Sequence, residues 1–291
     1  MYNIVVSGGA GFIGSHLTDR LIELGHRVIV YDNLSTGKIE NLNPKAKFIK
    51  YDISELYYFE DKVDYVFHLA AVPRVPYSVA HPSITHRMNV EGTYKILKVA
   101  SDAKVKKFIF ASSSSVYGDQ ELPLKETMRT YPKSPYALHK LIGEQYCKLF
   151  NELYGLPTVA LRFFNVYGKR ADPNSEYSLV IAKFLKYKKE NRPFTIYGDG
   201  EQTRDFTYVD DVINACILAM EKLVQNEVIN ICNGRAVSIN KIAKIIGGEK
   251  TFLPKRKGDI EHTLGSPEKA KDLLGWKPTI DIKKGIKLME G

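Results

Sequence analysis

Short β-branched and aromatic runs alternate, through the first half of the chain, with segments whose apolar residues recur every three to four positions. Ile4, Val5 and Val6 open the pattern as a buried strand. Phe12, Ile13, Leu17, Leu21 and Ile22 follow at helical spacing, with Gly25 as the stop. Residues 27–31 and 48–51 read as the next strands, running into Asp32 and Asp52. Residues 63–69 form a further buried strand, 90–100 a helix and 108–110 a strand. Pro135–Tyr154 reads as a long helix with Ser134 as N-cap, proline in the first turn and Gly155 closing it. A strand over 159–163 follows. The alternation predicts an α/β fold: a Rossmann-type, doubly wound parallel sheet whose ligands sit beyond the carboxyl ends of the strands.

After about Asn165 the texture changes. Residues 168–176 are polar and turn-rich, and helical patterns follow at 179–187 and 209–224. Residues 227–231 return to a buried strand that fits the main sheet. One helix over 239–246, a basic loop and a short helix near 267–274 complete the chain. This predicts a cofactor-type domain over 1–165, with 207–233 returning to it. Residues 166–206 and 234–291 are expected to form a smaller C-terminal lobe that binds substrate.

Composition narrows the class. A chain of 291 residues with 44% hydrophobic content supports one large core and a smaller lobe. No stretch has the apolar length of a bilayer span, and the first residues enter a strand rather than a signal peptide. The expectation is a soluble, cytoplasmic protein without a membrane partner. Cys147, Cys216 and Cys232 are scattered with no metal-ligand spacing, which suits a reducing compartment and argues against a metal. The net charge of +9 comes from lysines in short clusters, with no recognition-helix, RRM or zinc-finger pattern behind them. They read as a solvated face, and no nucleic-acid partner is expected.

The first strand runs straight into Gly8-Gly9-Ala10-Gly11-Phe12-Ile13-Gly14, which fits the dinucleotide fingerprint. Side chains in such a turn would keep a pyrophosphate from the N–H groups at the helix N-terminus. Asp32 ends the second strand about 20 residues later, where a carboxylate binds ribose hydroxyls and repels a 2′-phosphate, so NAD is favoured over NADP. Tyr136 and Lys140 stand at i and i+4 in the first turns of the long helix and address one site. A free phenol, with a pKa of about 10, is a poor base at neutral pH; a nearby cation stabilises the phenolate. Tyr136 then qualifies as base toward a substrate hydroxyl. Ser112 to Ser115 follow the strand over 108–110, where a parallel sheet presents its active groups.

Together these motifs resemble the extended short-chain dehydrogenase/reductase superfamily, in its nucleotide-sugar epimerase/dehydratase branch. The resemblance covers nearly the whole chain, in order: residues 8–14, 32–37, 52–53, 68–71, 112–118, Tyr136 with Lys140, 162–168 and 197–206. Arg256-Lys257-Gly258-Asp259 departs from the branch's Arg-Pro-Gly-Asp only at Lys257. The resemblance implies an NAD site. In it Gly8, Gly11, Phe12, Ile13 and Gly14 form the turn, and Asp32 and Asn33 hold the adenosine ribose beside Leu34, Ser35, Thr36 and Gly37. Asp52 and Ile53 would flank the adenine; Leu69, Ala70 and Ala71 would line the cofactor, with Asn89, Ser112 and Phe164 near it. Ser113 is implied as the catalytic serine.

Dehydratases of the branch carry Asp-Glu at the next two positions, and decarboxylases usually a glutamate at the second. Here Ser114 and Ser115 stand there, which removes the elimination machinery. The activity implied is that of a UDP-hexose 4-epimerase, interconverting UDP-glucose and UDP-galactose through a 4-keto sugar, and by extension UDP-GlcNAc and UDP-GalNAc. Arg204 and Arg256 would grip the diphosphate and Asp259 the uridine ribose; Asn165 would contact the sugar phosphate, and Leu179 and Val180 the uracil. Thr263 occupies the position that gates the space beside C2, where a small residue admits N-acetyl sugars. Residues 72–77 are similar to loops of N-acetylhexosamine epimerases. A UDP-glucuronate 4-epimerase and, more remotely, a non-catalytic NAD-binding regulator are the alternatives. The branch usually dimerises through helices matching 90–100 and 135–154, so a homodimer is expected, although Leu141, Cys147 and Phe150 also suit a face turned to the sheet.

Overall fold

The computed structural model describes residues 1–173, 180–255 and 260–290. Strand β1 (Asn3–Ser7), apolar on both faces, leads directly into helix α1 (Phe12–Glu23). Strands β2 (Arg27–Asp32), β3 (Lys47–Lys50) and β4 (Tyr65–His68) come next. Two short helices, α2 (Val75–Ala80) and α3 (Pro82–His86), precede a π-turn over Arg87–Glu91 that runs into α4 (Gly92–Asp102). Then come β5 (Lys107–Ser113), α5 (Pro135–Tyr154) and β6 (Thr158–Phe163). The remainder holds β7 (Val166–Tyr167), α6 (Val180–Lys189), β8 (Phe194–Tyr197), β9 (Thr203–Asp205), β10 (Thr207–Tyr208) and α7 (Val209–Glu221). It ends with β11 (Glu227–Ile231), β12 (Ala236–Ser238), α8 (Ile239–Ile246), β13 (Lys250–Leu253), α9 (Glu268–Leu274) and α10 (Ile282–Glu290).

Seven strands form one parallel sheet in the order β3-β2-β1-β4-β5-β6-β11. Strand alternation divides the core between its two faces. Ile4, Val6, Val28 and Val30 pack with Leu17 and Leu21 of α1 and Val212 and Cys216 of α7. Val5, Ile29, Val66 and Phe108 pack on the other side with Ile96 and Leu97 of α4 and Cys147 and Phe150 of α5. The strand order reverses between β1 and β4, which opens a crevice at their carboxyl ends. Beside it, β8 pairs with β13 and β9 with β12, and Phe184 of α6 stacks on Phe194 with ring centroids 4.5 Å apart.

The long helix over Pro135–Tyr154 has the expected bounds: Ser134 Oγ accepts from the Ala137 N–H, and Gly155 is left-handed at φ 68°. The helix expected to begin at Val90 instead emerges from the π-turn. The one expected over 209–224 stops at Glu221; the short strands are not anticipated, nor is α10, although its Ile282, Ile286 and Met289 recur at helical spacing. Among the described residues, no helix is long and apolar enough to cross a membrane.

Candidate active site

A cavity of about 2240 Å³ opens at the strand reversal. Its floor is made by the turns at the carboxyl ends of three strands: Gly8, Gly11, Phe12, Ile13 and Gly14 after β1, Asp32, Asn33, Ser35 and Thr36 at the end of β2, and Leu69, Ala70 and Ala71 after β4. Gly8 has a φ of 77°, and a Cβ there would lie 2.6 Å from the Ala70 nitrogen. At Gly14 a Cβ would stand 2.1 Å from the Gly8 carbonyl oxygen, so only glycine lets α1 start this close to β1. Gly11 caps α1 without a side-chain acceptor, which leaves the helix N-terminus suited to an anionic group at the cavity wall.

Asp32 is 8% exposed and accepts from the N–H groups of Ala10, at 3.0 Å, and Leu34, at 2.8 Å. Burial lifts its carboxyl above the ordinary range against these two donors. Each carboxylate oxygen keeps a further lone pair for a hydroxyl in the cavity. The turn, the uncapped helix and this carboxylate together fit a dinucleotide that carries a free ribose.

Five residues expected to line the cofactor do not reach the wall. Leu34 offers its backbone to Asp32 at a φ of 59°, and Gly37 packs behind, where a Cβ would meet Ala10 at 2.8 Å. Asp52 holds Asn33 from below at 3.3 Å, while Ile53 does reach the cavity. Asn89 spends both side-chain polar atoms on the backbone of Val72, at 2.7 and 3.1 Å, and so fixes the loop after β4. Phe164 is fully buried with Tyr117, Leu124 and Cys232; neighbours in an extended chain point opposite ways, and Phe163 takes the wall.

Ser113, Tyr136 and Lys140 converge on one wall. Lys140 is buried, its Nζ donating to the Ala111 carbonyl at 2.7 Å and lying 5.9 Å from the centre of the Tyr136 ring. Burial lowers the ammonium to about 8, with Cys147 and Glu144 working against the fall, so it stays mostly charged at neutral pH. Burial raises the Tyr136 phenol to about 12, opposed by a hydrogen bond with Ser113. The Tyr136 N–H donates to Ser78 Oγ at 3.0 Å, which anchors the first turn of α5 to α2. Ser113 Oγ accepts from the N–H and hydroxyl of Ser115, at 3.2 and 3.0 Å, and so presents its own proton toward Tyr136. Ser112 turns the other way, donating to Glu144 at 2.5 Å.

The far end of the cavity is walled by Asn165, Val180, Arg204 and Thr263. Thr263 Oγ1 accepts from the Asp205 N–H at 3.3 Å and approaches Asn165 Oδ1 at 3.4 Å. Arg204 Nη1 donates to the carbonyls of Thr203, at 2.8 Å, and Glu261, at 3.1 Å. Leu179, Arg256 and Asp259 lie outside the described residues. Six cations not assigned to the site from sequence also line the cavity: Lys38, Arg74, Lys133, Arg170, Lys183 and Lys255. Lys183 stands three residues after Val180 on α6, a spacing that was a usable signal. Arg74 lies in the 72–77 loop that the resemblance singles out, although that reading gives the arginine itself no role.

A family model described as the NAD dependent epimerase/dehydratase family matches residues 4–232. The chain is 37% identical over 299 residues to the UDP-glucose 4-epimerase of Mycolicibacterium smegmatis, covering 97% of this chain and 95% of that one. It is similar to the crystal structure of UDP-glucose 4-epimerase from Thermotoga maritima with UDP-glucose, at TM-score 0.94 and 41% identity over 99% of this chain and 97% of that one. It is also similar to UDP-N-acetylglucosamine 4-epimerase from Methanobrevibacter ruminantium M1 in complex with UDP-N-acetylmuramic acid, at TM-score 0.92 and 40% identity over the same shares.

Proposed function

The chain belongs to the NAD dependent epimerase/dehydratase family, and from that premise we propose that it inverts C4 of a UDP-hexose, interconverting UDP-glucose and UDP-galactose and accepting their N-acetylated counterparts. NAD is the cofactor; when bound it supplies a reversible hydride acceptor, which lets a secondary alcohol become a ketone and return. The observation that carries the reading is the convergence of Ser113, Tyr136 and Lys140 on one cavity wall without a carboxylate at positions 114 and 115.

In this reading Tyr136 takes the proton of the C4 hydroxyl and returns it to the same oxygen when the alcohol re-forms on the opposite face. Ser113 donates a hydrogen bond to that oxygen. Lys140 lies close enough to stabilise the phenolate, countering the burial that holds the phenol high. Inversion needs the sugar to turn while the nucleotide stays fixed. Arg204 suits the clamp on the diphosphate, because a guanidinium meets phosphate oxygens with a rigid fork of donors. The Gly8–Gly14 turn, Asp32 and Asn33 would hold the dinucleotide, with Asp32 disfavouring a 2′-phosphate. Thr263 is small, and its hydroxyl is tied to Asp205 and Asn165 rather than filling the cavity, which supports space for an N-acetyl group.

The test is the product distribution from UDP-galactose and UDP-GalNAc, supplied in parallel to the purified protein with NAD and read by NMR at C4. Inversion of either supports the reading, and the ratio of the two rates measures the Thr263 contribution. Tyr136→Phe should lower turnover by about 10²–10⁴-fold while retaining NAD. No inversion of either sugar with NAD bound would overturn the reading in favour of UDP-glucuronate or another nucleotide sugar.

A further inference from the structure

Behind the wall that carries Ser113 lies a buried ionic cluster with no role in the chemistry above. Glu144 is 3% exposed, one turn beyond Lys140 on α5. Its Oε1 accepts from the Ser112 hydroxyl at 2.5 Å and from Arg162 Nε at 2.8 Å; its Oε2 accepts from Arg162 Nη2 at 2.7 Å. The Arg162 guanidinium lies 4.6 Å from the centre of the Tyr117 ring, and its Nη1 is buried without a hydrogen-bond partner among the described residues. Desolvation cancels much of what such a pair gains, so stability alone is a weak reason for it.

Its placement gives a better one. Helix α5 grips two successive residues of β5: Lys140 takes the carbonyl of Ala111, and Glu144 takes the hydroxyl of Ser112. These are the two residues immediately before Ser113. We propose that Glu144, braced by Arg162, is a positioning residue: it holds the carboxyl end of β5 in register with α5, so that Ser113 meets Tyr136, and it is the anion that faces Lys140. The proposal rests on the roles given above to Ser113, Tyr136 and Lys140.

Among the described residues, the charged and titratable groups around Lys140 are few. Its own helix supplies Tyr136, His139, Glu144 and Cys147, and β4 supplies His68; Arg162 of β6 is paired with Glu144. Glu144 is therefore the carboxylate among them. Replacing it with glutamine removes the anion and leaves the Arg162 cation uncompensated, so the Lys140 ammonium must titrate at lower pH.

The experiment compares the NAD-loaded protein with Glu144→Gln and Ser112→Ala. Bound NAD is measured by release, UDP binding by calorimetry, turnover with the UDP-hexose, and the Lys140 midpoint by carbon-13 lysine NMR with Lys140→Met as assignment control. Glu144→Gln is expected to keep NAD and UDP, to lose about 10²-fold in kcat with KM little changed, and to titrate Lys140 at lower pH than the parent. Ser112→Ala is expected to lower kcat by about tenfold, with the Lys140 midpoint unmoved. A kcat within about twofold of the parent in both variants, or an unmoved Lys140 midpoint in Glu144→Gln, overturns the proposal. Should Glu144→Gln not fold, the kcat of Ser112→Ala decides alone. Should the parent invert no UDP-sugar, the functional reading fails, and the Lys140 midpoint still decides whether Glu144 faces it.

Discussion

His68 closes β4 with its ring fully inside the protein, between Ser7 and Thr93. Thr93 donates its own proton to the Asn89 carbonyl at 2.7 Å, so its oxygen accepts from His68 Nε2. Nδ1 then accepts from the Ser7 hydroxyl, and the ring is a neutral Nε2–H tautomer with no vacancy for a second proton. Burial first, and the Lys140 charge second, hold it down at about 3. The folded value thus lies below the unfolded one of about 6.5, so this contribution to stability is present above pH 6.5 and is lost as pH falls toward 3. The expected loss is about 1.4 kcal/mol per pH unit in that window. His68→Gln keeps a donor and an acceptor but does not titrate. Its stability deficit against the parent, measured by urea unfolding at pH 7 and pH 5, should narrow at the lower pH; an equal deficit at both would refute the assignment.

At the scale of the element, α7 shows how one distant side chain sets a helix boundary. The apolar pattern runs on to Val224, yet the helix stops at Glu221 and Lys222 is extended. Lys107, at the start of β5, is 7% exposed and donates to the carbonyls of Ala219, at 2.9 Å, Met220, at 3.3 Å, and Lys222, at 2.5 Å. A cation at the negative end of a helix satisfies acceptors that otherwise lie buried and unpaired. Lys107→Met should cost about 2–3 kcal/mol, seen as a lower denaturation midpoint with an unchanged slope. An unaltered midpoint would mean that water serves these carbonyls equally well. Helix α5, by contrast, takes its bounds from its own residues, because Ser134, Pro135 and Gly155 act within one turn.

For the whole molecule, the outer surface of α4 and α5 exposes several large apolar side chains among its ion pairs. Tyr94, Leu149, Leu153 and Tyr154 are 40%, 46%, 67% and 62% exposed. Cys147 and Phe150 face the sheet instead, and Leu141 packs near Val116 and Tyr117, so that stripe is interior. We propose that the exposed set is the homodimer face, since patches of this kind mark association surfaces. Leu153→Glu should convert a dimer into a monomer in sedimentation equilibrium; a monomeric parent would end the proposal.

The local signals were the legible ones. Strand runs, the glycine turn, the acidic end of β2 and the i, i+4 pairing of Tyr136 with Lys140 depend on residues within a turn or a strand of each other, so spacing along the chain is enough to set them. Tertiary structure decided what depends on meetings between distant segments. Sheet packing decided that Phe163 and not Phe164 faces the cavity, that Asn89 serves Val72, and that Lys107 ends α7. It also brought Ser112, Glu144 and Arg162 together from three elements. Such groups meet only after both faces of the sheet are buried, because that packing fixes strand order and register, which no spacing along the chain encodes.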